Sequence, residues 1–376
     1  ARAGAVFAPL SVNYRSKELS FFLDDIRPGA IVAAPEVEER VGEAAQALPE
    51  PPTILRVDRP GSVEILSAGA RRQGGSPGGE SPPFLLLYTS GSTGTPKRVV
   101  RTHRQLLTEV KTLHQVFSVE ETDRFLGAAP FSHVNGLIRT MLTSILGGAT
   151  LYPVAKFSRR PVLRLLSENR LTFFGAVPHM FILLARTQTR EAVDLSSLRL
   201  VFCSSAPLTP EDNQEFQDRF GIWVRQLYGS SETGTISFND DPHPEVKVST
   251  VGRALPGVTL KIVDEDGREL PAGEEGEIAI RSPFAISSYE GNPEATEKSF
   301  RGDYYLSGDI GTLDEQGYAT LVGRKSLMIN RGGFKVNPYE VEEVIRQHRS
   351  VEEVAVMGAP GPHGDQIVRG VVVAKE

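Results

Sequence analysis

The sequence is sparing with the features that announce several common protein classes. Cys203 is its only cysteine, which excludes an internal disulfide framework and a cysteine-based zinc site and fits a reducing, cytoplasmic compartment. No apolar run approaches the length needed to span a bilayer. A formal charge of −6 gives no general attraction to nucleic acid or to an anionic membrane. No repeat of fixed period is visible, and no Ser-His-Asp or Cys-His arrangement stands out. The first residues, Ala1-Arg2-Ala3-Gly4-Ala5-Val6, lack an initiator methionine and a charged segment followed by a long apolar run, so they do not read as a leader. They read instead as the inside of a strand and turn.

What is present is ordinary in bulk and specific in detail. With 376 residues, 23% of them charged and 40% hydrophobic, the chain is long enough for two or more structural units. After the apolar run Phe84 to Leu87 comes Tyr88-Thr89-Ser90-Gly91-Ser92-Thr93-Gly94-Thr95-Pro96-Lys97. A strand opening into small hydroxyl and glycine residues and then a lysine offers backbone N–H groups, hydroxyls and one cation to a phosphate-sized anion. A Walker loop would need the lysine directly after the second glycine, and here Thr95 and Pro96 intervene.

This stretch resembles the signature loop of the acyl-adenylate-forming superfamily, which includes acyl- and aryl-CoA ligases, adenylation domains of peptide synthetases, and luciferases. The match runs from Thr89 to Lys97, with Arg98 where the family usually has glycine. The remaining chain has the alternation such a fold needs. Segments from Arg124 to Tyr228 alternate between strand and helix, including a helix from Val134 to Leu146, and argue for parallel sheets covered by helices. Earlier, Ser16 is a candidate N-cap for a helix reaching Asp24, and Thr102 for one carrying Leu106, Val110, Leu113 and Phe117. Near Thr259 the texture changes to antiparallel hairpins, Thr259 to Val263 with Gly276 to Arg281, and Gly311 to Val322. The expected class is α/β: a large N-terminal domain of helix-covered sheets plus a β-subdomain over 1–324. A small, incomplete α+β lid domain is expected over 325–376, ending before the lid lysine of the family.

Other motifs follow in the family's order. Tyr228-Gly229-Ser230-Ser231-Glu232-Thr233 is by itself a strand end and a polar turn, but it stands at the carboxyl end of a predicted parallel strand, where ligands bind in open α/β sheets. The resemblance implies that Tyr228 stacks on adenine, Ser231 bonds a phosphate oxygen, and Glu232 holds Mg²⁺ together with Thr93. Ser205, Ala206 and Pro207 resemble the segment lining the adenine pocket. Asp309 resembles the ribose-binding aspartate and Arg324 the arginine before the hinge, although Leu306, Ser307 and Ser326 depart from the usual residues. His133 and Val134 resemble the boundary of nucleotide and acyl pockets, and Gly175, Ala176, Val177 and Gly229 would add acyl-pocket wall. No carboxylate occupies Phe131-Ser132, which favours a simple carboxylic acid over an amino acid. Gly332 and Gly333 would sit in the segment that forms the pantetheine tunnel of CoA ligases. The catalytic set implied is Lys97, Thr93, Glu232 and His133, and Cys203 reads as a small core residue.

The reaction implied is ATP-dependent activation of a fatty, short-chain or aryl acid to an acyl-adenylate, followed by thioester formation with coenzyme A. A domain that loads a carrier protein, and a non-catalytic ATP- or AMP-binding protein, use the same nucleotide motifs and stay open.

Overall fold

The computed structural model describes residues 4–59, 62–67, 81–89, 96–190, 192–331, 334–361 and 366–375. Ser90, Gly91, Ser92, Thr93, Gly94, Thr95, Gly332 and Gly333 lie outside them. The chain divides into two compact units, Ala1–Leu86 and Leu87–Glu376.

In the first unit, helices Ser16–Ile26 and Glu38–Gln46 contribute to one core with a small sheet of β1 (Ala30–Ala33), β2 (Thr53–Arg59) and β3 (Ser62–Ser67). β1 and β2 run parallel, and β2 and β3 antiparallel. Leu19, Leu23, Val41, Ala44, Ala45 and Ile54 close that core. Ser16 is the first helical residue and not the cap; Arg15 holds the cap position, and its N–H donates to Glu18 Oε2 at 2.9 Å. The short strand expected at Ala5 to Leu10 reduces to a bridge between Phe7 and Leu85.

The chain passes between units within β4 (Pro83–Thr89), which forms a two-stranded sheet with β5 (Lys97–Thr102). Thr102 caps the next helix, His103–Phe117, as its sequence predicts: its Oγ1 accepts from Gln105 N at 3.3 Å, and Gln105 Oε1 accepts from Thr102 N at 2.8 Å.

The second unit is built on one continuous sheet. Its parallel arm contains β6 (Arg124–Gly127), β7 (Thr150–Pro153), β8 (Phe173–Ala176), β9 (Leu200–Cys203) and β10 (Arg225–Ser230), in the order β10-β9-β8-β6-β7. Residue alternation divides the packing. Phe125, Phe173, Leu200 and Phe202 meet Leu113 and Phe117 on one face, while Leu126, Phe174, Ala176, Val201 and Cys203 meet Val162, Leu163, Phe181 and Phe216 on the other. Cys203 is therefore the core residue expected, and burial pushes its thiol well above the usual range.

The change to antiparallel pairing comes earlier than Thr259. β11 (Gly234–Phe238) already runs antiparallel to β10, and the sheet continues through β12 (Gly252–Ala254), β13 (Thr259–Val263), β14 (Gly276–Arg281), β15 (Phe300–Arg301), β16 (Tyr304–Leu313) and β17 (Tyr318–Arg324). The expected β-subdomain is thus joined edge to edge with the parallel strands, at the hairpin that carries Glu232. The helix expected over Val134 to Leu146 is a π-helix, Asn135–Leu142, followed by an α-turn, Thr143–Leu146. Gly136 lies so close to the Ala129 and Pro130 carbonyls that an added Cβ would stand 2.4 Å from Pro130 O.

Beyond Arg324, β18 (Ile329–Arg331) pairs with β19 (Phe334–Val336), and helix Pro338–Arg346 is capped by Asn337, whose side chain accepts from Tyr339 N. β20 (Val351–Pro360) and β21 (Gln366–Ala374) form a long hairpin.

Candidate active site

The second unit holds a cavity of about 520 Å³ lined by Thr89, Lys97, Glu232, Tyr289, Tyr305, Arg324 and the backbone turn at Ser307-Gly308, among others. Four of the residues singled out by sequence therefore face one space, though they lie up to 235 positions apart, from Thr89 to Arg324.

Glu232 is among the residues that line it. Its side chain is buried, and Oε1 accepts from Thr89 Oγ1 at 3.1 Å and from Tyr289 OH at 3.0 Å. Among the described residues no hydrogen bond reaches Oε2. Tyr289 OH in turn meets Tyr305 OH at 3.2 Å, and Lys97 Nζ rests 4.6 Å from the Tyr289 ring centroid. Burial, with the Glu232 charge adding to it, pushes the Tyr289 phenol up, so it stays a neutral donor at any physiological pH. Among the described residues the Lys97 ammonium has no carboxylate partner. A cation and a carboxylate are thereby kept on the same cavity without neutralising each other.

A second cluster adjoins it. Tyr228 OH donates to Asp309 Oδ2 at 2.6 Å, and Arg324 Nε lies 3.5 Å from Oδ1, across the β16–β17 register that pairs Asp309 with Arg324. Burial raises the Asp309 carboxyl above the ordinary aspartate value, opposed by the Tyr228 bond and by Arg324. Burial also lifts the Tyr228 phenol, with Asp309 adding to the effect. Neighbouring Glu277 fixes the turn: its carboxylate accepts from Gly308 N at 3.0 Å and from Lys325 Nζ at 2.9 Å.

The other expected residues lie at the carboxyl ends of the parallel strands. Ser205, Ala206 and Pro207 follow β9 and are exposed, with Ser205 at φ +75°. Gly229 and Ser230 end β10, and Ser231 is half-buried in the turn before Glu232. His133 is exposed in the loop after β6, with Val134 half-buried beside it. Gly175 and Ala176 close β8: a Cβ on Gly175 would land 2.2 Å from the Phe202 ring, and Ala176 lies in the core. Those two offer a ligand only backbone, whereas Val177 is half-buried at the strand's end.

Sequence reasoning missed Tyr289, Tyr305, Glu277 and Lys325. Tyr305 was legible in principle, because strand alternation puts it on the face of Ser307. Tyr289 lies in a loop with no local signature, and only the tertiary fold brings it to Glu232.

Glu232 presents a carboxylate to the cavity, and no group of three or more potential metal-ligating side chains occurs among the described residues. Such a carboxylate can hold a hard divalent cation only together with a ligand's own oxygens, the binding mode that suits magnesium on phosphates.

Comparison with known proteins agrees with this chemistry. The AMP-binding enzyme family matches residues 1–290. The probable CoA ligase CCL8 of Humulus lupulus is 30% identical, over 99% of this chain and 66% of that protein. A feruloyl-CoA synthase of Amycolatopsis is 32% identical, over 99% of this chain and 74% of its own length. The ATP-bound crystal structure of MatB from Rhodopseudomonas palustris superposes with a TM-score of 0.88 at 30% identity, covering 100% of this chain and 74% of that one. The chain therefore spans about two thirds to three quarters of the length of these relatives, and it belongs to the AMP-binding enzyme family, among the acid–CoA ligases.

Proposed function

We propose that the cavity binds ATP and activates a carboxylic acid as its acyl-adenylate, which coenzyme A then takes up as a thioester. The observation that carries this reading is the convergence of Lys97, Glu232, Thr89 and Arg324 on one cavity, beside the Tyr228–Asp309 pair. The acid's carboxylate is the nucleophile at the α-phosphate, so the chain needs no nucleophilic side chain of its own. Lys97 supplies positive charge to the polyphosphate, and Asp309 accepts from the ribose hydroxyls through the lone pairs that Tyr228 leaves open. Glu232 and Thr93 are the residues proposed to hold Mg²⁺, which when bound neutralises charge on the departing pyrophosphate. Thr89 and Tyr289 keep Glu232 Oε1 engaged and aim the carboxylate into the cavity. Residues 325–376 are proposed to form the lid portion, with Gly332 and Gly333 toward coenzyme A. Phe131 packs its ring against Gly127 and leaves no carboxylate to receive an amine, which supports a simple acid as substrate. Fatty, short-chain and aryl acids are the classes to test, and the feruloyl-CoA synthase among the relatives supports keeping the aryl class.

The test pairs ATP–pyrophosphate exchange with calorimetric binding of non-hydrolysable acyl-sulfamoyl adenosines bearing fatty, short-chain and aryl groups. One acyl class should bind far more tightly than AMP, and its free acid should drive exchange. If every analogue bound only as well as AMP and no acid drove exchange, the cavity would be a nucleotide pocket without an acylation role. Acid-driven exchange that is not followed by thioester formation with free coenzyme A would instead point to a carrier protein as acceptor.

A further inference from the structure

Beneath the hairpin that carries Glu232 lies an ion cluster that takes no part in the proposed chemistry. Arg101 on β5 and Glu109 on helix His103–Phe117 are both 0% exposed, and Arg139 on the π-helix is 1% exposed. Arg101 Nη2 donates to Glu109 Oε2 at 2.7 Å. Glu109 Oε1 accepts from both the N–H and the hydroxyl of Thr235, at 2.8 and 2.7 Å, and Arg139 Nε donates to the same hydroxyl at 3.0 Å. Two guanidiniums thus face one carboxylate. Nε and Nη1 of Arg101 and Nη2 of Arg139 find no partner among the described residues.

Such an arrangement is costly. The effective penalty is several kcal/mol per buried ion, and well-packed apolar residues in the same places are often neutral or stabilising. Stability alone therefore does not account for it, but its connections do. Arg101 stands four residues after Lys97 on the same strand, and Thr235 stands three residues after Glu232. The path from Lys97 through Arg101, Glu109 and Thr235 to Glu232 runs through the interior. Both hairpin glycines rest on the cluster: a Cβ on Gly229 would stand 2.4 Å from Arg139 Nη2, and one on Gly234 would stand 2.7 Å from Glu109 Oε2.

We propose that Glu109, with Arg101 and Arg139, is a positioning residue of the nucleotide site: it ties the strand of Lys97 to the hairpin of Glu232 and fixes the spacing at which polyphosphate and divalent cation are held. This inference rests on the adenylation reading of the cavity. Because Glu109 touches neither ligand, its loss should weaken the cooperation between metal and nucleotide and leave contact with the adenosine part intact.

The experiment measures ATP affinity by calorimetry, in EDTA and with Mg²⁺, together with the thermal midpoint. It compares wild type, Glu109→Gln, and the apolar replacement R101M/E109L/R139M. Both variants should bind ATP in EDTA near the wild-type value, and each should lose about tenfold of the tightening that Mg²⁺ confers, at the low end of what outer-sphere changes cost metal sites. Should Glu109→Gln fail to fold, the apolar variant decides. A folded apolar variant with the full Mg²⁺-dependent gain would overturn the proposal and leave the cluster a structural feature. Wild type that binds no ATP, or shows no gain with Mg²⁺, would overturn the adenylation reading itself, and the positioning role with it.

Discussion

Asp309 shows how much of the chemistry turns on single residues. Burial raises its pKa, while the Tyr228 hydrogen bond and Arg324 pull it back toward the ordinary value. If the ionised carboxylate accepts from ribose hydroxyls, AMP affinity is complete above the Asp309 pKa and is lost as pH falls through it. Since that pKa is raised, the loss begins at a higher pH than an ordinary aspartate would give. Tyr228→Phe removes an opposing influence, so the pKa rises further and the loss should move to still higher pH. Calorimetric titration of AMP across the acid range reads both curves. A pH-independent affinity in wild type, or a Tyr228→Phe curve displaced to lower pH, would contradict the assignment. The buried Glu109 has the opposite sign. Its burial is more than offset by Arg101, Arg139 and Thr235, so its pKa is depressed, and the stability it contributes is present at neutral pH and lost as pH falls through the folded value. Acid denaturation of Glu109→Gln should lack that component. Asp309, Tyr228 and Arg324 stood out in the sequence through their motifs, whereas Arg101, Glu109 and Arg139 carry no local motif, and only the tertiary fold buries them together.

At the scale of elements, the hairpin of β10 and β11 is the decisive piece, and sequence located its motif but not its topology. Caps were legible in part: Thr102 behaves as its residue type dictates, whereas the cap expected at Ser16 falls on Arg15. The switch from parallel to antiparallel was misplaced because Gly234-Thr235-Ile236-Ser237-Phe238 is wholly buried. A strand covered on both faces lacks the polar alternation that marks an antiparallel hairpin. The same burial gives the hairpin its intolerance. A Cβ at Gly229 would meet Gly234 O at 2.3 Å, and the backbone there is fixed by pairing on one side and by Arg139 on the other. Gly229→Ala should therefore cost about 1–3 kcal/mol in denaturant unfolding, the range for overpacking a close-packed interior. A neutral substitution would mean that the hairpin can move away from Arg139, and would weaken the argument that the cluster fixes it.

For the whole molecule, the consequence of one continuous sheet is that the two halves of the proposed site share a single hydrogen-bonded frame. The cavity with Glu232, Tyr305 and Arg324 lies toward the antiparallel arm, while Ser205 to Pro207 and Gly229 end strands of the parallel arm. The family motifs were readable in order along the sequence because each is a short loop at a strand end. Their meeting was not readable, because it depends on strand order, and β12, which links β11 to β17 within the antiparallel arm, is a three-residue strand with almost no local signal. A nucleotide that uses both arms must protect both. Hydrogen exchange with saturating MgATP should therefore slow amides that exchange through local opening at Tyr304–Leu313 and, in parallel, at the ends of β9 and β10. Protection confined to the antiparallel arm would show that the nucleotide makes no use of Ser205 to Pro207 and Gly229. The adenine would then have to lie elsewhere, and the acyl site proposed beside those residues would lose its neighbour.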